Sequence, residues 1–191
     1  MRMGEENTPM SRPTVKVFAG PNGSGKSTIT EEMFIYGVYV NADDIKRHKG
    51  CSDLEAAQEA ELLREHLLAN CMDFTFETVL STDRNILLLE RAKAAGYFIK
   101  SVFVLTNSPE VNVQRVQSRV AEGGHNVPID KIRSRYKKSL GFLKVLAEMS
   151  DECEVYDNTD MLCVIYRKDA DGEEIMPNEY WGKKQILRLL Y

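Results

Sequence analysis

The run Thr14-Val15-Lys16-Val17-Phe18-Ala19 leads directly into Gly20-Pro21-Asn22-Gly23-Ser24-Gly25-Lys26-Ser27. A strand-like segment, then GxxxxGK[ST], then a helix-forming stretch is the context in which this spacing builds a phosphate-binding loop. The feature constrains the fold tightly, because the loop needs a buried strand on one side and a helix N-terminus on the other. Its chemistry is legible residue by residue. Gly20, Gly23 and Gly25 let backbone N–H groups turn inward around an anion, where side chains are expected to clash. A helix opening near Lys26 aims the positive end of its dipole at the same point. Lys26 is placed to reach the β- and γ-phosphates of a nucleoside triphosphate, and the Ser27 hydroxyl to take one position on Mg2+. Pro21, Asn22, Ser24 and Thr28 complete the cradle.

Strands and helices alternate on either side of this loop. Strand patterns fall at 14–20, 38–44, 74–78, 97–106 and 153–158. Helical spacing runs from Lys26 to about Tyr36, through a short turn at "IKRHK", and from Asp53 to about Met72. In that last stretch Leu54, Ala57, Glu61 and Leu68 mark the spacing, Leu62, Leu63 and Leu67 widen the apolar face, and Asp53 is the expected cap. Ser81 caps a helix that stops at Gly96, and two more helices cover 109–121 and 128–149. The alternation predicts an α/β three-layer fold: a mostly parallel five-stranded sheet with helices on both faces. Asp171-Gly172 between two short apolar runs predicts an exposed hairpin. A closing helix follows, whose Tyr180 and Trp181 either pack on the sheet or offer a partner surface. The chain reads as a loose tail over 1–13 and a single domain over 14–191.

Composition narrows the function. A net charge of -4 speaks against a protein that coats nucleic acid, since such binding is driven by Lys and Arg neutralising phosphates. Cys51, Cys71, Cys153 and Cys163 show no CxxC spacing and read as reduced thiols of a cytoplasmic protein. "MRMGEENTPMSRP" lacks the apolar core of a signal peptide or membrane anchor.

The remaining question is what receives the phosphate. There is no NKxD run to read guanine, and no strand ends in the apolar-run-plus-DE pattern of oligomeric ATPases. Small kinases remain. Ligands of such sheets bind beyond the carboxyl ends of the strands. The second strand ends in Asn41-Ala42-Asp43-Asp44 and the third in Glu77-Thr78. Asp43 is the candidate base for the acceptor hydroxyl, with Asp44 as a helix cap. Glu77 and Thr78 are candidate acceptor contacts. Arg115 and Arg119, the Gly123-Gly124 hinge, and Arg133 and Arg135 form a candidate lid over about 109–135 that closes cations on the phosphates. His125 is either a lid contact or a turn residue.

Taken together, "GPNGSGKST", "VNADDI", "FETVLST", "RVAEGGHNVP", "RSRYKKSL" and "YDN" resemble the zeta toxins, P-loop kinases of bacterial toxin–antitoxin systems, in their short chromosomal form. The motifs occur in the family's order over about 15–158. The resemblance implies a P-loop kinase-like fold, ATP with Mg2+, and phosphorylation of the 3′-hydroxyl of the N-acetylglucosamine of UDP-N-acetylglucosamine. It also implies an antitoxin partner. By position, Asp43 matches the catalytic aspartate, Glu77 the strand-end acid that binds the sugar, and Lys26 and Ser27 the loop pair. Arg119 matches one lid arginine, and Arg135, in preference to Arg133, the second. Two other readings use the same residues: a polynucleotide 5′-hydroxyl kinase, and a non-catalytic nucleotide-binding switch.

Overall fold

The computed structural model of the protein describes residues 12–124 and 126–191. The tail expected over 1–13 falls almost wholly outside the described residues, and His125 lies outside them too. In chain order the elements are β1 (Thr14–Ala19), α1 (Lys26–Glu32), β2 (Val38–Val40), α2 (Ala42–Lys49), α3 (Asp53–Ala69), β3 (Phe74–Thr78) and α4 (Arg84–Ala94). They continue as β4 (Phe98–Leu105), α5 (Pro109–Ala121), α6 (Ile129–Met149), β5 (Glu152–Asp157), β6 (Cys163–Asp169), β7 (Gly172–Ile175) and α7 (Lys183–Leu190).

The sheet order is β2-β3-β1-β4-β5-β6-β7. The first five strands are parallel, as the alternation of elements requires. The C-terminal hairpin is part of the sheet: β6 pairs antiparallel with β5, and β7 with β6, giving seven strands. Its docking supplies hydrogen-bond partners for the outer edge of β5, which would otherwise be an open edge.

The faces are unequally covered. Val15, Val17, Phe74, Phe76, Ile99 and Phe103 meet side chains from α3, α4, α6 and α7 in the main core. On the other face, Phe18, Val102 and Val104 pack with Ile29 of α1 in a small cluster. Trp181, Ile186 and Leu190 are buried in the main core, so the closing helix packs against the domain. No helix among the described residues is long and apolar enough to cross a membrane.

Several local expectations are corrected. Strand β2 stops at Val40, because Asn41 turns the chain and caps α2 by accepting a hydrogen bond from the Asp43 N–H. Asp44 is therefore not the cap; its carboxylate pairs with Arg47 at 3.0 Å. Ser52, not Asp53, caps α3, in a reciprocal box with Glu55. The face that α3 buries runs through Ala56, Ala60 and Leu67, while Leu54 and Leu62 are 68% and 70% exposed. The alanines permit close approach to the sheet, which displaces the buried stripe from the one the leucines suggest. Helix α4 begins at Arg84 after Asp83, since Ser81 sits in a turn that Thr78 organises by accepting from the Leu80 N–H. Helix α1 ends at Glu32, short of Tyr36.

Candidate active site

The phosphate loop spans the gap between the carboxyl end of β1 and the start of α1. Gly20, Gly23 and Gly25 have φ of 140°, 78° and 96°, values that L side chains rarely adopt. The space they clear lies behind the loop. A Cβ at Gly20 would sit 2.1 Å from the Val104 carbonyl oxygen, one at Gly23 2.6 Å from the Asn112 carbonyl oxygen, and one at Gly25 2.2 Å from Asn158 Nδ2. The glycines thus let the loop settle against β4, α5 and the end of β5, a requirement separate from the inward clash expected from sequence.

Two asparagines fix it there. Asn158 Nδ2 donates to the Ser24 carbonyl at 2.8 Å, and Asn112 Nδ2 donates to the Asn22 carbonyl at 2.7 Å. Asn112 is fully buried and is itself held by a hydrogen bond from the Thr106 hydroxyl. The Tyr136 hydroxyl in turn donates to the Thr106 carbonyl at 2.5 Å. The Ser24 hydroxyl oxygen is buried and has no partner among the described residues. Lys26 Nζ folds over the loop and donates to the carbonyls of Gly20 and Pro21 at 2.7 and 3.0 Å. Burial pushes its pKa down to about 8; Glu77 and Asp43 oppose that shift, and Arg119 adds to it. All three charges thus bear on the one ammonium group.

Ser27 and Thr28, in the first turn of α1, are exposed. The Ser27 hydroxyl donates to Glu77 Oε2 at 3.2 Å, and Glu77 Oε1 accepts from the Tyr39 hydroxyl at 2.7 Å. The register Ala19↔Thr78 explains the meeting: β1 and β3 end side by side, so Glu77 stands next to the helix that follows the loop. A hydroxyl and a carboxylate in contact form a donor set suited to Mg2+, a hard cation that prefers oxygen ligands. Thr78 is differently engaged, its hydroxyl accepting from Leu80 N–H and Asn85 Nδ2. Asp43 is exposed on the first turn of α2, and its carboxylate has no hydrogen bond or ion pair among the described residues.

Helices α5 and α6 carry the cations opposite. They are bound to each other by a separate apolar cluster of Val113, Val116, Val127 and Ile132. Arg135 reaches the loop itself, with Nη1 donating to Asn22 Oδ1 at 3.4 Å. Arg133 points elsewhere, making a bidentate pair with Glu110 at 2.8 and 2.9 Å. Arg115 donates to the Thr159 carbonyl at 3.2 Å, just past the end of β5. Gly123 and Gly124 close α5, donating to the carbonyls of Val120 and Arg119. The structure therefore brings Glu77 and Arg135 into contact with the Gly20–Thr28 segment, leaves Asp43 and Arg119 acting on the Lys26 charge, and sends Arg133 and the Thr78 hydroxyl to other partners.

Sequence reasoning missed Tyr39, Asn41, Asn112 and Asn158 as parts of the site. Asn158 follows a strand's carboxyl end, a position that could have raised it. Asn112 sits within a helix, where nothing in the pattern distinguishes it from a surface residue.

With this geometry in place, the comparison with known families is decisive. A family model described as Zeta toxin matches residues 2–171. The chain belongs to the zeta toxin family. The match ends before β7 begins and also leaves out α7. Family and fold together support a P-loop kinase-type function. An uncharacterized protein of Haemophilus influenzae is 27% identical over 125 residues, covering 62% of this chain and 89% of that protein. The crystal structure of AvrRxo1-ORF1:-ORF2 with ATP is similar at a TM-score of 0.68 and 13% identity, over 86% of this chain. This zeta-family chain spans only 60% of that chain's length. The PezAT chromosomal toxin–antitoxin system of Streptococcus pneumoniae is similar at a TM-score of 0.63 and 17% identity, over 95% of this chain and 78% of that one.

Proposed function

We propose that the protein is an ATP-dependent kinase that transfers the γ-phosphoryl group to a hydroxyl of a nucleotide sugar, the 3′-hydroxyl of UDP-N-acetylglucosamine. One observation carries the reading. The Ser27–Glu77 pair, the Lys26 ammonium and the exposed Asp43 carboxylate all stand at the carboxyl ends of β1, β2 and β3, and Glu77 and Asp43 both bear on the Lys26 charge.

The phosphates lie along the loop N–H groups, with Lys26 released from the Gly20 and Pro21 carbonyls to meet them. Ser27 and Glu77 would hold Mg2+, which neutralises charge on the phosphate oxygens when bound. This use of Glu77 departs from the sugar contact that the resemblance implies, and its hydrogen bond from Ser27 supports the change. Asp43 accepts the proton of the acceptor hydroxyl as its oxygen bonds to the γ-phosphorus. The bond from that phosphorus to the bridging oxygen breaks, and ADP leaves with the electron pair. Arg119 and Arg135 are the lid arginines that steady the transferring group. The contact between Arg135 and Asn22, against the pairing of Arg133 with Glu110, supports that choice. Residues of about 109–135 form the lid of the single kinase domain, which works in the cytoplasm. An antitoxin protein is the proposed partner, by likeness to the PezAT toxin–antitoxin system.

The test is direct. Purified protein is incubated with Mg2+-ATP and a panel containing UDP-N-acetylglucosamine, other UDP-sugars and a 5′-hydroxyl oligonucleotide, and products are weighed by mass spectrometry. Phosphorylated UDP-N-acetylglucosamine is the expected result. Phosphorylation of the oligonucleotide alone would overturn the acceptor, and ADP formation with no phosphorylated product would favour the switch.

A further inference from the structure

Four side chains form an unbroken line from the phosphate-loop helix to the helix that carries Asp43. Ser27 Oγ donates to Glu77 Oε2 at 3.2 Å, and the Tyr39 hydroxyl donates to Glu77 Oε1 at 2.7 Å. Asn41 Nδ2 donates to the Tyr39 oxygen at 3.0 Å, and Asn41 Oδ1 accepts from the Asp43 N–H at 2.9 Å. The direction of each bond is fixed by its neighbour. Because Asn41 spends its oxygen on a backbone N–H, its amide nitrogen faces Tyr39. Because Tyr39 accepts that bond, its own proton goes to the carboxylate. The register Tyr39↔Thr75 sets the ring two residues below the level of Glu77, within reach of its carboxylate.

We infer that Tyr39 is a positioning residue for the metal side of the site: it holds the Glu77 carboxylate facing Ser27 and, through Asn41, ties that carboxylate to the first turn of α2. The inference rests on the kinase reading above. A glutamate anchored only by an exposed serine has three side-chain torsions to sample. Anchored at both oxygens it keeps one orientation, and partners that orient a metal-binding group in this way contribute strongly to metal affinity. The same line joins metal and base, so that Glu77 and Asp43 are set by one framework.

Tyr39→Phe removes the hydroxyl and keeps the ring. The measurement is ADP affinity by calorimetry, with Mg2+ and again in chelator, for the wild-type chain, Tyr39→Phe, Glu77→Gln and the double variant. Mg2+ should tighten ADP binding in the wild type, and Tyr39→Phe should lose about 10-fold of that gain with its affinity in chelator unchanged. The double variant should be no worse than Glu77→Gln alone, as expected if the hydroxyl acts through the carboxylate. Asn41→Ser, which keeps a capping oxygen, should show a smaller loss in the same direction. An equal Mg2+ dependence in wild type and Tyr39→Phe would overturn the inference and leave the kinase reading standing. A wild-type chain with no Mg2+ dependence at all would overturn both.

Discussion

Asn158 and Asn112 grip the phosphate loop from behind, at 2.8 and 2.7 Å, through side chains that are themselves held by strand ends and helices. Across the cleft, the Asp43 carboxylate stands exposed and has no hydrogen bond or ion pair among the described residues. The contrast teaches how the two substrates are handled. On the donor side, the dipoles that meet phosphate are fixed before nucleotide arrives, so little reorganisation is needed at the moment of reaction. On the acceptor side, the carboxylate proposed as the base is presented to water, and in that proposal it gains a partner when a hydroxyl is delivered. Helices α5 and α6 belong to both: their apolar cluster is separate from the main core, while Arg135 touches the loop.

The largest way to break the contrast is to unseat the donor loop. Gly20→Ala puts a Cβ 2.1 Å from the Val104 carbonyl oxygen at a φ of 140°. The backbone strain alone should cost on the order of 3 kcal/mol, read by chemical denaturation, and ADP binding should be lost. Retained binding would show that the loop tolerates displacement from β4.

A pH series sharpens it. Lys26 has a folded pKa of about 8, below its ordinary 10.5, because burial disfavours the charge. The nucleotide-free fold therefore carries the full penalty of that charge below pH 8 and is relieved of it as pH rises from 8 towards 10.5. Phosphate restores the charge, so ADP affinity should hold below pH 8 and fall above it by up to roughly tenfold per pH unit, with proton uptake on binding. Lys26→Met should bind weakly with no such slope.

Asn158→Ala is the gentlest test. It leaves the Ser24 carbonyl without its donor and should weaken ADP binding by about 1 kcal/mol, roughly fivefold in calorimetry. No change would mean that Asn112 alone secures the loop.

Much of this was legible in the sequence, for identifiable reasons. The GxxxxGK[ST] spacing and the buried runs of β1 and β4 depend on local pattern, and they specify the parallel core. Asp44 was misread as the cap of α2 because it stands beside the true cap, Asn41, in the same polar strand end. What escaped depended on long-range contact. Asn112 meets Asn22 across 90 residues and Asn158 meets Ser24 across 134, so no window of sequence contains either pair. Caps also shifted where two candidates stood together: Ser52 displaced Asp53 because its hydroxyl meets Glu55, and Asn41 displaced Asp44 because it precedes the first turn. Leu54 and Leu62 misled because leucine spacing suggested a face that the alanines of α3 instead supply.

The central claim is that a braced donor loop faces an open catalytic carboxylate. Asp43→Asn tests it most directly, by measuring ATP affinity and phosphoryl transfer to UDP-N-acetylglucosamine in the same preparation. The account predicts affinity within about twofold of wild type and transfer reduced on the order of 100-fold or more. Transfer at the wild-type rate would contradict it, because the acceptor would then lose its proton to some other group.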